Sequence, residues 1–276
     1  MQTSDAPVWN ARTLIEALAL RSEHPDATVI AGGTDLMVVI EGGHFNPKEV
    51  LNIWPCDELR GISVQPDGVR IGALNTWTDV RNETRLPSPL RECACTVGAE
   101  QIQNRATVGG NIVNASPAGD SLPLWLALDA TFEVASVRGK RTIPADDFWV
   151  GYRTTALQPD ELLVAVHLHA DAAEHLTYRK VGTRMAQAIS KVVFGGSIKL
   201  NDGQVTHARL ALGSVAPTPI RLRHVENALI GGPIDLDAVQ HIEKDIVPID
   251  DIRSTATYRM SVAKRIVRSW LRHETG

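Results

Sequence analysis

The sequence predicts an α+β fold in three units, and three observations carry that prediction. Glycine-rich junctions join strand-like to helix-like segments at 27–36 and 107–120. Two turns, Pro66-Asp67-Gly68 and Asn201-Asp202-Gly203, each separate a pair of short apolar runs, as antiparallel hairpins require. A long stretch near the end, Thr255 to Arg272, repeats apolar residues at helical spacing.

Composition bounds the function classes. A chain of 276 residues is long enough for two or three compact units, and 43% hydrophobic with 22% charged residues is ordinary for a globular protein. A net charge of -4 without a long basic run argues against nucleic acid or an anionic membrane as partner. No apolar run reaches the roughly 18 residues of a membrane span, and residues 1–5 lack the basic start of a secretion leader. A cytoplasmic location is therefore expected.

The first unit, 1–55, reads as a helix from Ala11 to Arg21 capped by Asn10, a strand Thr28 to Ala31, a helix Leu36 to Ile40 and a strand Val50 to Ile53. It is small for a domain and is expected to lean on the second unit. That second unit, 56–170, opens with the hairpin Ile62–Val64 and Val69–Ala73. Helices are expected at Trp77–Asn82, Pro89–Val97 and Ser121–Asp129, then strands Thr131–Val137 and Lys140–Ile143, with Leu162–Leu168 closing the unit. The third, 171–276, holds the hairpin Val192–Leu200 and Gln204–Leu212. Helices follow at Leu222–Ile230, Asp235–Ile246 and Thr255–Arg272, the last with Met260, Ala263, Ile266, Val267 and Trp270 on its apolar stripe and Arg259 mostly off it.

The two glycine-rich segments carry the chemistry. In Ala31-Gly32-Gly33-Thr34-Asp35-Leu36, glycine permits positive φ and close approach of a ligand, so backbone amides can face an anion. In Thr107-Val108-Gly109-Gly110-Asn111, the glycine pair is expected to make a tight bend, with Asn111, Asn114 and Ser116 as neutral hydrogen-bonding groups and Asp120 at a helix cap. Neither segment has a lysine or arginine between its glycines, which favours a dinucleotide held by amides and hydroxyls over a phosphate held by point charges. Gly-x-Gly-x-x-Gly is absent, as is a Gly-Lys-Ser/Thr phosphate loop. The polar stretch with Gln101, Ile102 and Asn104 is compatible both with shaping this site and with a solvated connector.

Other candidates are weaker. Cys56, Cys93 and Cys95 form neither a disulfide framework nor an iron–sulfur set, and read as buried thiols. His167 and His169 share one strand face without a third ligand nearby. No hydrolytic motif is present, which suits a chain whose chemistry belongs to a cofactor.

At these residues the chain resembles a known family. Ala31–Leu36, Ala106–Ile112 and Ala115–Asp120 are similar to the two FAD-binding segments in the flavoprotein (medium) subunits of molybdenum hydroxylases, the group of carbon monoxide, xanthine, nicotine and quinoline dehydrogenases. Asp160–Val164, Tyr178–Arg184 and Ala188–Val192 resemble further signatures of the same family, in the same order. The resemblance implies a two-subdomain FAD-binding domain of the PCMH/vanillyl-alcohol-oxidase type and a smaller C-terminal α+β domain with an antiparallel sheet and helices.

It also implies an oxidoreductase subunit that takes electrons from two [2Fe-2S] clusters of a small subunit. These come from substrate at a molybdenum cofactor in a large subunit, and pass through FAD to a small-molecule acceptor such as NAD, a quinone or oxygen. A dimer of heterotrimers is the expected assembly. Carried onto this sequence, Ala31 to Leu36 and Thr107 to Asn111 would meet the pyrophosphate and ribityl region, and Asp120 the ribityl or adenosine side. Leu163 would lie against the isoalloxazine and Lys180 at its edge. A self-sufficient flavin oxidoreductase of the same fold, and a scaffold that has lost its cofactor, are the alternatives.

Overall fold

The computed structural model describes residues 6–170, 175–184 and 187–275. The residues read for a leader, 1–5, and the predicted start of the third unit at 171 lie outside the described residues.

The N-terminal part alternates strand and helix: β1 (Val8–Asn10), α1 (Leu14–Glu23), β2 (Thr28–Ile30), α2 (Leu36–Glu41) and β3 (Val50–Asn52). The strands form a parallel sheet in the order β1-β3-β2. The first helix starts three residues later than Asn10 would place it, because Thr13 and Glu16 make a reciprocal capping box. Thr13 Oγ1 accepts from the Glu16 amide at 3.2 Å and the Glu16 carboxylate accepts from the Thr13 amide at 3.3 Å. Asn10 instead ends β1, where its side-chain oxygen accepts from Asn52 at 2.8 Å.

The middle of the chain builds a five-stranded antiparallel sheet. Its elements are β4 (Ile62–Gln65), β5 (Gly68–Gly72), α3 (Trp77–Asn82), α4 (Ser88–Thr96), α5 (Glu100–Gln103), α6 (Val108–Asn114) and α7 (Leu122–Ala127). They are followed by β6 (Thr131–Ser136), β7 (Gly139–Pro144), α8 (Ala145–Phe148), β8 (Trp149–Gly151), β9 (Thr154–Thr155) and β10 (Leu162–His169). Strand order is β4-β5-β10-β6-β7, so β10 lies at the centre of the sheet rather than closing it. Its unbroken apolar run suits a strand buried on both faces.

Leu163, Val166 and Leu168 join the core of Trp77, Trp125 and Phe132. Leu162 and Val164 join the N-terminal core of Leu51, Cys56 and Leu59. A bulge between Leu163 and Ala165 marks the switch along the strand.

The C-terminal part is a four-stranded antiparallel sheet, β11 (Thr177–Val181), β12 (Val192–Asn201), β13 (Gln204–Gly213) and β14 (Ile220–Arg221), in that order. Against it pack α9 (Arg223–Leu229), α10 (Ile242–Asp245) and α11 (Ala256–Glu274). The helix predicted over 235–246 is a 3₁₀ segment, Leu236–His241, leading into α10.

In α11, Ala263, Val267 and Trp270 are buried, and Trp270 meets Phe194 edge-on at 5.3 Å. Arg259 is buried too, contrary to its place off the stripe: it donates to the Ser214 carbonyl at 2.6 Å and to Asp251 at 2.6 Å. Its planar fork satisfies both acceptors at once. Asp146 of α8 ties this part to the sheet before it, accepting from Arg221 at 3.0 Å and Arg223 at 2.7 Å.

Among the described residues no helix is long and apolar enough to cross a membrane, and no three His, Cys, Asp or Glu side chains are placed to hold a metal ion. His167 pairs with Glu133 at 2.9 Å. Cys56 and Cys93 are buried, but Cys95 is exposed, because it falls on the outer side of α4.

Candidate functional site

The first glycine-rich segment begins where β2 stops. The Ile30 carbonyl accepts from Ile53 at 3.0 Å, and beyond it the amides of Gly32, Gly33, Thr34, Asp35 and Leu36 find no acceptor among the described residues. Gly33 sits at φ +75°, a left-handed conformation that a side chain disfavours. Asp35 precedes α2, but its side chain makes no cap hydrogen bond. Five consecutive donors without partners form a ready cradle for an anion.

The second segment is brought against the first. A Cβ at Gly32 would lie 1.8 Å from the Arg105 carbonyl oxygen, so the two backbones touch where glycine stands. The Arg105 guanidinium lies 3.7 Å from the ring centre of Trp54, which also carries Arg60 at 4.4 Å. Trp54 follows β3 and Arg105 precedes α6, so this stack pins the two segments beside each other.

Gly109 and Gly110 do not form a bend. They occupy the first turn of α6, where Thr107 caps by accepting from the Gly110 amide at 3.0 Å. The helix start is docked by Val108 and Gly109, whose amides donate to the carbonyls of Asn75 at 2.9 Å and Ala73 at 2.8 Å. The Ala73 amide in turn donates to Val164 at 2.8 Å, which carries the contact on to β10 beside Leu163. Leu163 itself is 5% exposed within the core, and Ile102 is partly buried against the same core.

Asp120 is not a helix cap either, since α7 starts after Ser121 without a side-chain cap bond. Its carboxylate instead accepts from Lys180 Nζ at 2.7 Å and Ser190 Oγ at 2.5 Å. Lys180 also donates to the Thr96 carbonyl at 2.9 Å, which leaves it one N–H of three. Thr96 spends its hydroxyl proton on the Cys93 carbonyl, so Tyr178 is the donor in the 2.9 Å contact between the two hydroxyls.

Burial pushes the Asp120 carboxyl up despite the opposing pull of Lys180, and burial likewise holds Tyr178 well above its ordinary value. The Ser121 hydroxyl, donating to Asn111 at 2.7 Å, couples this cluster to α6. A cavity of about 520 Å³ lined by Pro66, Leu86, Leu168 and Leu176 includes none of these residues.

Residues 2–169 match the family of the FAD binding domain in molybdopterin dehydrogenase. The chain belongs to this family. Residues 177–273 match the CO dehydrogenase flavoprotein C-terminal domain, so the two matches follow one another along the chain. The chain is 33% identical to the xanthine dehydrogenase FAD-binding subunit of Escherichia coli O157:H7 over 274 residues, covering 95% of this chain and 94% of that one. It is 34% identical to the nicotinate dehydrogenase FAD-subunit of Eubacterium barkeri over 246 residues, covering 86% and 83%. The fold overlays a chain of carbon monoxide dehydrogenase from Hydrogenophaga pseudoflava with a TM-score of 0.91 at 29% identity, covering 98% of this chain and 96% of that one.

The residues present fit FAD. FAD carries a doubly charged pyrophosphate, and the unpartnered amides of 32–36 are donors that could meet such a group without desolvating a lysine. Sequence reasoning did not single out Trp54, Arg105, Tyr178 and Ser190, none of which lies in a glycine segment. The one signal was the tyrosine and serine falling inside Tyr178–Arg184 and Ala188–Val192.

Proposed function

We propose that this chain is the electron-transfer subunit of a three-component molybdenum hydroxylase, working beside a large molybdenum-cofactor subunit and a small subunit with two [2Fe-2S] clusters, in a dimer of heterotrimers. The observation that supports this most directly is the backbone contact of Gly32 with Arg105, just ahead of Thr107, which brings the two glycine-rich segments side by side. We read the chain as divided at 55/56 and 170/171, with the cleft between the first two units.

In this reading the amides of Gly32 to Leu36, with Ala31 leading in, and the segment Thr107 to Asn111 hold the pyrophosphate and ribityl region. Asp120 orients Lys180 toward the flavin edge, and Leu163 packs beneath the ring. FAD, when bound, accepts electrons singly from iron–sulfur clusters and releases them in pairs to an acceptor such as NAD, a quinone or oxygen. The chain's own part is to hold, orient and desolvate. A self-sufficient flavin oxidoreductase is the second reading, favoured only by the fold.

The test is an absorption spectrum of the purified protein, mass spectrometry of what heat releases, and then reduction assays. Flavin bands with an FAD mass, and a flavin that substrate reduces only when both partner subunits are present, are the expected results. Reduction by substrate without partners would favour the second reading.

A further inference from the structure

The turn between β8 and β9 brings a cation to the cleft that neither glycine-rich segment supplies. Arg153 Nη1 donates to Asn114 Oδ1 at 2.9 Å, at the last residue of α6. The same nitrogen lies 3.8 Å from Asp35 Oδ2, in the first segment. One guanidinium thus spans both segments from a third part of the chain. It does so at φ +50°, a conformation that costs a non-glycine residue and that a glycine would take freely.

Asp35 has a cation facing it in Arg153. Its carboxylate makes no cap bond and stands among the unpartnered amides of 32–36, where its charge opposes an anion. We propose that Arg153 is a positioning residue of the cofactor site. It offsets the Asp35 carboxylate and, through Asn114, holds the second segment in register with the first, so that a pyrophosphate meets amides rather than a bare negative charge. The inference rests on the reading of the cleft as the FAD site. It assigns Arg153 no contact with the reacting ring.

The experiment is a titration of FAD into the deflavinated full-length protein, co-purified with its partner subunits, for the wild type, R153M, R153K, D35N and R153M/D35N. Flavin fluorescence quenching gives the affinity, and circular dichroism of each apo form reports folding. R153M is expected to weaken FAD binding about tenfold, the scale of one partly screened charge. R153K, which keeps the charge, should stay within about threefold, and D35N should restore most of the loss in the double variant, as coupled neighbours do.

Wild-type affinity in R153M would overturn the proposal and leave the FAD reading standing. A loss in R153M that D35N does not restore would overturn the offsetting role. Failure of the wild type to bind FAD at all would overturn the reading of the cleft itself.

Discussion

Gly32 is the residue at which the cleft is most tightly specified. A methyl group there would sit 1.8 Å from a backbone carbonyl oxygen, and no rotamer of a neighbour can relieve that clash. Gly32→Ala is therefore expected to cost at least about 2 kcal/mol, the scale of overpacking, and to lose flavin, checked by urea denaturation and by flavin content. At Gly110 the nearest neighbour of a new methyl is the Thr107 hydroxyl at 2.7 Å, a side-chain atom that can shift at the expense of the α6 cap, so Gly110→Ala should cost less stability than Gly32→Ala. Normal flavin and stability in Gly32→Ala would show that the two backbones can separate freely.

At the scale of the element, Glu133 on β6 gathers partners from three other strands of its sheet. Lys140 of β7 lies at 2.8 Å, His167 of β10 at 2.9 Å and Arg70 of β5 at 3.5 Å. Burial alone would raise its carboxyl, but the hydrogen bonds from Lys140 and His167 and the charges of Lys140 and Arg70 outweigh it and bring it from 4.5 down to about 2. The folded state therefore binds fewer protons than the unfolded state in between. Glu133 contributes its full stability above pH 4.5 and loses it as pH falls toward about 2. Glu133→Gln should flatten the stability profile across that window, measured by thermal unfolding at stepped pH.

Elements of this kind were legible in the sequence wherever the signal was local. Both hairpins, the helix at Trp77–Asn82 and the apolar stripe of α11 follow from turn chemistry and period. A glycine pair suggested a bend at 109–110, yet the Thr107 cap made it a helix start. The strand β11 escaped because Thr177–Val181 is a polar edge strand with no clean alternation. The contacts of Gly32 with Arg105, and of Arg153 with Asn114, join residues far apart in the chain, and no periodicity encodes such meetings.

At the scale of the whole molecule, the C-terminal sheet is held to the FAD-binding part by charge as well as packing. Asp146 accepts from Arg221 and Arg223, while Glu226 partners Arg221 from within the C-terminal part. Asp146→Ala removes one acceptor of the buried Arg221 and the acceptor of the exposed Arg223, and should cost about 1 kcal/mol, since Arg221 keeps Glu226 and the Arg223 pair is screened by solvent. It should also separate the unfolding transitions of flavin fluorescence and far-ultraviolet dichroism, which a tightly docked chain shows as one. A single unshifted transition would mean that the apolar contacts alone hold the parts together.

The alternation along β10 has a consequence in time. Leu162 and Val164 complete the core that Leu51 and Leu59 begin, whereas Leu163 and Val166 serve the following one. The amino-terminal layer, synthesised before this strand, thus has its apolar face uncovered until the strand has been made and has slotted between β5 and β6. The cradle of amides at 32–36 comes early in the chain, but its final shape waits on a late strand.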